Sequence, residues 1–240
     1  MIVQNVKQVS LNEEILIDKM KLRGPSIAKG LSVSQAHAEH ADPLFVIKAV
    51  PVDRISGGRV TIGESIFESR ILAGVLDGVE RVFAYVATCG PKMAARTQQM
   101  ADMFDRYIAE GTEHFFLSAA IDALENRLEA EFGHRNFTHV NPGIIEGWST
   151  LDIGKVIDLL DGKPYELGMS LTDSGLMLPS RSICGFFFES NTPHVNCLLC
   201  RYPGCPERKV PFDQRIYTDF TKKEGEEGQA LNVNLIDKKG

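Results

Sequence analysis

Long apolar runs are missing from this 240-residue chain. No stretch reaches the roughly 18–20 apolar residues that a membrane-spanning helix needs, so no bilayer partner is expected. The opening residues, MIVQNVKQVSLNEEIL, carry charges where a signal peptide needs an apolar core, and a cytoplasmic location is the expectation. Positive charge is short too. Lys and Arg number 26 against 32 Asp and Glu, a formal net charge of −6, whereas nucleic-acid binders usually carry a basic face. No nucleic-acid partner is expected. The strand-to-helix turn Cys89-Gly90-Pro91 is no GxGxxG loop and lacks a Walker lysine, which argues against a nucleotide fold. Neither a Ser-His-Asp signature nor a pair of catalytic carboxylates stands out. The five cysteines of a cytosolic chain are better read as thiols or metal ligands than as disulfides.

What is present is ordinary for a soluble domain: 43% hydrophobic and 24% charged residues, in a length that buries one large core or a main domain with a small appendage. Helical periodicity marks residues 11–22, closed by Arg23-Gly24-Pro25, and residues 32–41, with Ser32 as cap. Residues 44–52 read as a strand before a turn at Ser56-Gly57-Gly58, and residues 64–76 as a helix with Ile66, Ile71, Leu72 and Val75 on its core face. RVFAYVAT, residues 81–88, reads as a buried strand. Beyond its turn a helix is expected over residues 92–109, then a break at Gly111 and a second helix over residues 112–132. A further helix is expected over residues 151–160, and strands over residues 167–171, 175–178 and 182–189. Paired helices between strands that meet as hairpins point to α+β, with a mixed or antiparallel sheet flanked by helices. The divisions expected are an N-terminal helical segment (1–43), an α+β core (44–190), a cysteine-motif lobe (191–220) and a polar, Gly-rich, mobile tail (221–240).

One segment is more specific. From Leu171 the chain reads LTDSGLMLPSRSICG. This resembles a stretch of the activation (reactivation) domain of cobalamin-dependent methionine synthase with the pattern L-T-x-S-x-x-M-x-P-x-x-S-x-x-G. Leu171, Thr172, Ser174, Met177, Pro179, Ser182 and Gly185 all fall in step. Upstream, NPGIIEGWSTLDIGKVIDLL is similar to that family's Pro-Gly turn and following helix. VATCGP and NCLLCRYPGCPER resemble motifs of its free-standing members, the latter of a subgroup with a C-terminal cysteine motif.

The resemblance implies an accessory of corrinoid-dependent methyl transfer, serving methionine biosynthesis or a related pathway. It would bind S-adenosylmethionine and a partner that presents cobalamin, either a corrinoid-binding protein or a cobalamin-dependent methyltransferase. Its task would be reductive methylation of cob(II)alamin to methylcob(III)alamin, with a flavodoxin or ferredoxin as electron source. If catalytic, it would transfer a methyl group from S-adenosylmethionine to cob(I)alamin. A sulfonium leaves as a neutral thioether, so positioning would suffice and no acid or base is required. The implied donor and corrinoid face comprises Asn141, Pro142, Gly143, Thr172, Ser174, Ser182 and Gly185. Two positions depart from the family: His139 stands where it has an arginine, and Ile144 where it has a tyrosine. A bidentate arginine grips a carboxylate better than a histidine does. A capping or chaperone module that leaves S-adenosylmethionine unused is therefore the alternative. The bland readings are a tight turn at Pro142-Gly143 and a plain β-hairpin at Ser174-Gly175.

Cys197, Cys200 and Cys205 form C-x2-C-x4-C, a spacing that suits a chelating loop. Thiolates favour an iron–sulfur cluster or zinc, and Cys184, His194 or Cys89 are candidates for a fourth ligand. A cluster would make the chain an electron-transfer accessory; unliganded thiols are the other reading. Weaker signals are His37 and His40 on one helix, the acidic line Asp122, Glu125 and Glu129, and Cys89 at a helix start. Trp148 reads as a packing anchor.

Overall fold

The octapeptide RVFAYVAT is apolar at both parities, which suits a strand covered on both faces, and in the computed structural model it is the middle of the sheet. The structure describes residues 1–221 except 8, 134, 135 and 206; the tail expected to be mobile lies, from residue 222 onward, outside the described residues. In chain order the elements are β1 (Ile2–Asn5), α1 (Glu13–Lys19), α2 (Pro25–Ala38), β2 (Leu44–Ser56), β3 (Arg59–Ile62), β4 (Ser65–Glu68) and α3 (Arg70–Val75). Then come β5 (Arg81–Thr88), α4 (Pro91–Gln98), α5 (Met103–Phe132), β6 (Phe137–Val140), a 3-10 turn (Thr150–Asp152) and α6 (Ile153–Leu159). The chain continues through α7 (Lys163–Glu166), β7 (Ser170–Leu171), β8 (Met177–Leu178), β9 (Ser182–Glu189), α8 (Val195–Leu199) and α9 (Gln214–Thr221).

The main sheet runs β4-β3-β2-β5-β9-β6, with β1 added on β2, and its pairings are antiparallel. β7 and β8 form a separate hairpin. The fold is thus α+β, an antiparallel sheet flanked by helices. Strand parity splits the interior in two. Val82, Ala84, Val86, Cys184, Phe186 and Phe188 face a core closed by α3, α6 and α8, while Phe83, Tyr85, Ala87 and Phe187 face α4 and α5. A smaller cluster of Leu16, Met20, Leu22 and Ile108 seats α1 and α2 on α5. Among the described residues no helix is long and apolar enough to cross a membrane.

Several elements differ from the pattern-based expectation. The helix expected over residues 64–76 is strand β4 followed by the short α3, because Ser69 stops the strand and caps α3 by accepting from the Leu72 amide at 3.2 Å. Ile66 is consequently exposed on β4 instead of lining the core. No break occurs at Gly111. The interruption lies earlier, where Asp102 caps α5 by accepting from the Asp105 amide at 2.9 Å, and α5 runs through Gly111. A side chain at Gly111 would meet Met20, so that glycine serves the close approach of α1 rather than a turn. Helix α2 begins at Pro25, whose missing N–H costs nothing at a first helical position, and Ser32 is an exposed residue within it. Residues 1–43 hold α1 and α2 together with β1, which ties this segment into the main sheet.

Gly74 marks the tightest helix crossing. A Cβ there would sit 2.6 Å from the Phe220 carbonyl oxygen and 2.9 Å from its Cα, so α9 lies directly on the α3 backbone. Glycine-to-alanine within a helix normally stabilises by about 1 kcal/mol. Here Gly74→Ala is expected to destabilise by about 1–3 kcal/mol instead, because backbone has to move; a urea midpoint at or above wild type counts against this packing.

Candidate functional site

Strand β6 ends at Val140, and the chain turns at once through Asn141, Pro142 and Gly143. The turn is closed by the Gly143 amide donating to the Trp148 carbonyl at 2.9 Å. Gly143 adopts φ +79, which a side chain tolerates poorly, and a Cβ there would run into the Thr150 methyl. Asn141 is buried, and its side chain does most to fix the bend. Its Nδ2 donates to the Tyr85 hydroxyl and to the Cys184 carbonyl, each at 2.6 Å, joining β6 to β5 and β9. Its backbone N–H donates to Asn196 Oδ1 of α8 at 3.3 Å. Asn141 Oδ1 and Trp148 Nε1 are buried without a hydrogen-bond partner among the described residues.

The hairpin and strand of the 171–185 motif meet this bend. Thr172 and Ser174 share a 2.9 Å hydroxyl contact, Thr172 Oγ1 accepts from the Leu176 amide at 3.0 Å, and the turn they build presents Gly175 at φ +80. A Cβ on Gly175 would lie 3.0 Å from the Thr150 carbonyl oxygen and 3.3 Å from Leu151 Cα. Gly143 and Gly175 therefore rest on the same short turn. Gly185, on β9, lies so close to the Val140 carbonyl and the Asn141 amide that any side chain would displace them. Of the expected residues, Asn141, Pro142, Gly143 and Gly185 converge, and the Thr172-Ser174 hairpin joins them through Gly175. Ser182 is placed apart: its hydroxyl donates to Thr88 Oγ1 at 2.7 Å, beside the Cys89-Gly90 turn.

The floor so formed has an apolar border. Ile144 is 40% exposed, Leu151 66%, Leu176 55% and Leu178 40%. Ile144 follows Gly143, Leu176 follows Gly175, and Leu151 follows Thr150, so these side chains fringe one contact. Isolated exposed apolar residues are unremarkable, and these four belong to the segments that meet at Thr150. Trp148 stacks on Phe186 with centroids 5.3 Å apart, and meets Phe67 edge-on at 6.1 Å, anchoring the floor from below. Tyr85, Thr150, Leu151 and Asn196 were not singled out from sequence. Only Tyr85 carried a signal, as the one hydroxyl-tipped aromatic in a strand otherwise buried and apolar.

His139 lies on the α5 side of the sheet against the Phe187 ring, centroids 5.1 Å apart. Burial, reinforced by nearby His194, depresses its pKa to about 4. At neutral pH it is uncharged, so it supplies no cationic grip for a carboxylate. The lone cysteines are equally quiet: burial raises the thiol pKa of Cys89, with Glu113 adding to the effect, and burial raises that of Cys184. Glu125 on α5 is also raised, by burial first and by Asp122 and Glu129 second. His37 and His40 diverge, His37 buried against Thr97 and Glu113, His40 exposed beside Arg96.

Cys197 on α8, Cys200 at its end and Cys205 in the loop beyond are half-buried free thiols. Among the described residues no three His, Cys, Asp or Glu side chains are placed to hold a metal ion, so neither Cys184, His194 nor Cys89 completes a set. A guanidinium organises the loop instead. Arg208 donates to the carbonyls of Cys197 at 3.3 Å, Cys200 at 3.2 Å and Val210 at 3.5 Å, and to that of Tyr202. As placed, the thiols do not fit zinc or an iron–sulfur cluster.

The antiparallel sheet flanked by helices is a fold also found in a solved protein domain. The chain is similar to the crystal structure of the MetH reactivation domain bound to AdoHcy, with a TM-score of 0.55, 15% identity, and 78% of each chain covered. At that identity the likeness establishes the fold alone. No family model matches the chain, and no curated protein matches it in sequence.

Two outcomes follow. Asn141→Ala strands the Tyr85 hydroxyl and the Cys184 carbonyl, and is expected to cost about 1–3 kcal/mol in denaturant unfolding; a neutral substitution would show the bend is held otherwise. For His139, the unfolded chain takes up a proton near 6.5 and the folded chain only near 4. The stability its neutral form preserves is complete above 6.5 and lost as pH falls toward 4. His139→Gln should flatten this part of the stability–pH curve by up to about 3 kcal/mol; parallel curves for the two proteins would refute it.

Proposed function

We propose that this chain binds an S-adenosyl donor and docks on a corrinoid-carrying partner, supporting reductive methylation of cob(II)alamin to methylcob(III)alamin. The carrying observation is the meeting of Gly143 and Gly175 on the Thr150 turn, beside Gly185 and Asn141, inside the fringe of Ile144, Leu151, Leu176 and Leu178. Gly143, exposed at the bend, presents backbone in place of a side chain beside that fringe, and an apolar fringe suits a surface that a partner covers. The fold neighbour solved with AdoHcy adds to the reading. The donor supplies a sulfonium methyl, which leaves a neutral thioether behind. The chain's share is to hold and orient the reactants and exclude water, which needs no proton transfer and accords with thiols held protonated by burial.

A second reading is favoured by His139. Neutral and half-buried, it leaves the donor's carboxylate without the cation that a gripping arginine would supply, as expected of a capping module that uses the corrinoid partner alone. Calorimetry with S-adenosylmethionine and S-adenosylhomocysteine separates the two. Heat of binding below about 1 mM supports the donor reading, and its absence leaves the capping one. With donor, reductant and a cob(II)alamin-loaded corrinoid protein, methylcobalamin absorbance should grow only when the chain is present. Leu151→Glu and Leu176→Glu should abolish that growth while leaving donor binding intact; unchanged rates would remove the fringe from the docking surface.

A further inference from the structure

The bend at residues 141–148 is held from outside the sheet, by the lobe that carries the cysteines. At its start, the buried Asn141 N–H has passed the end of the β6 ladder and finds its acceptor in Asn196 Oδ1 at 3.3 Å, itself buried. At its tip, Glu146 is paired with Arg201 at 3.0 Å. Arg201 is not a free surface side chain: its guanidinium lies 4.4 Å from the Tyr217 ring centroid and 5.3 Å from that of Phe212. An exposed ion pair is weak when both partners must be ordered for it, but a stacked guanidinium is ordered beforehand. The lobe is anchored in turn by the Val195 amide donating to Thr138 Oγ1 at 3.1 Å, and by Arg208 gathering the loop carbonyls.

Resting on the donor-site reading above, we propose that Asn196 and Arg201 are positioning residues, through which the cysteine-bearing lobe holds the 141–148 bend in the shape that receives the adenosyl donor. Asn196 acts by its acceptor atom, so aspartate preserves the role and leucine does not. Arg201 acts by its charge on Glu146, so Arg201→Ala and Glu146→Ala remove the same contact and do not add.

The experiment uses the full chain, with S-adenosylhomocysteine as the probe in calorimetry and amide hydrogen exchange of the peptide spanning residues 141–148 as a readout that needs no ligand. Asn196→Leu is expected to weaken binding about fivefold and speed exchange in the bend, with Asn196→Asp near wild type. Arg201→Ala, at an exposed position, is expected to weaken binding about twofold to fivefold with an unchanged melting temperature, and the double variant with Glu146→Ala to go no further. If wild type takes up no S-adenosylhomocysteine, the donor reading fails, and the exchange rates alone still decide whether the lobe holds the bend. Unaltered exchange in Asn196→Leu and Arg201→Ala overturns the proposal. So does an Asn196→Asp variant as impaired as the leucine one, and should the leucine variant fail to fold, Arg201→Ala decides.

Discussion

A single buried amide ties this molecule's parts together. Asn141 is where the edge strand stops, and there its backbone and side chain reach three other elements: β5 through Tyr85, β9 through the Cys184 carbonyl, and α8 through Asn196. Groups that would otherwise be buried without partners satisfy one another, which is worth more as a prohibition on other arrangements than as net stability. The bend, the hairpin contact and the placement of the cysteine-bearing lobe all take their positions from it. Gly185 shares in this constraint, since only a residue without a side chain leaves room for the Asn141 amide to reach β9.

The sheet separates work from support. Phe83, Tyr85 and Phe187 pack on the long α5 side, where His139 sits as a neutral ring against Phe187. The opposite face, with Phe186 beneath Trp148, underlies the floor between bend and hairpin. The cysteine-bearing loop belongs to this second side. Its carbonyls converge on Arg208 while its thiols stay apart, so the loop is shaped by main-chain acceptors around a cation.

What could be read in advance follows from how local the cause was. β5 and β9 match the residues expected because continuous apolar runs bounded by turn residues leave one conformation. The α+β class followed from the alternation of such runs with paired helices. Gly111 misled because a glycine in a helical pattern looks like a stop, and only the approach of Met20, distant in sequence, explains it. Residues 64–76 misled because a short strand and a short helix in succession imitate one helical period. The parts of the motif from Leu171 to Gly185 serve differently: Gly175 and Gly185 are close-contact positions, Thr172 and Ser174 build a turn, and Ser182 belongs to the neighbouring Thr88 corner. Thr150 carried no signal at all, since its importance arises only when two glycines far apart in the chain arrive on it.

That shared rest on Thr150 has a mechanical consequence. The bend and the hairpin tip cannot open or close independently, because each is stopped by the same few atoms between them. Any displacement of the short 3-10 turn at the head of α6 would carry both segments together, so their spacing is set through α6, which is packed into the core by Val156 and Ile157.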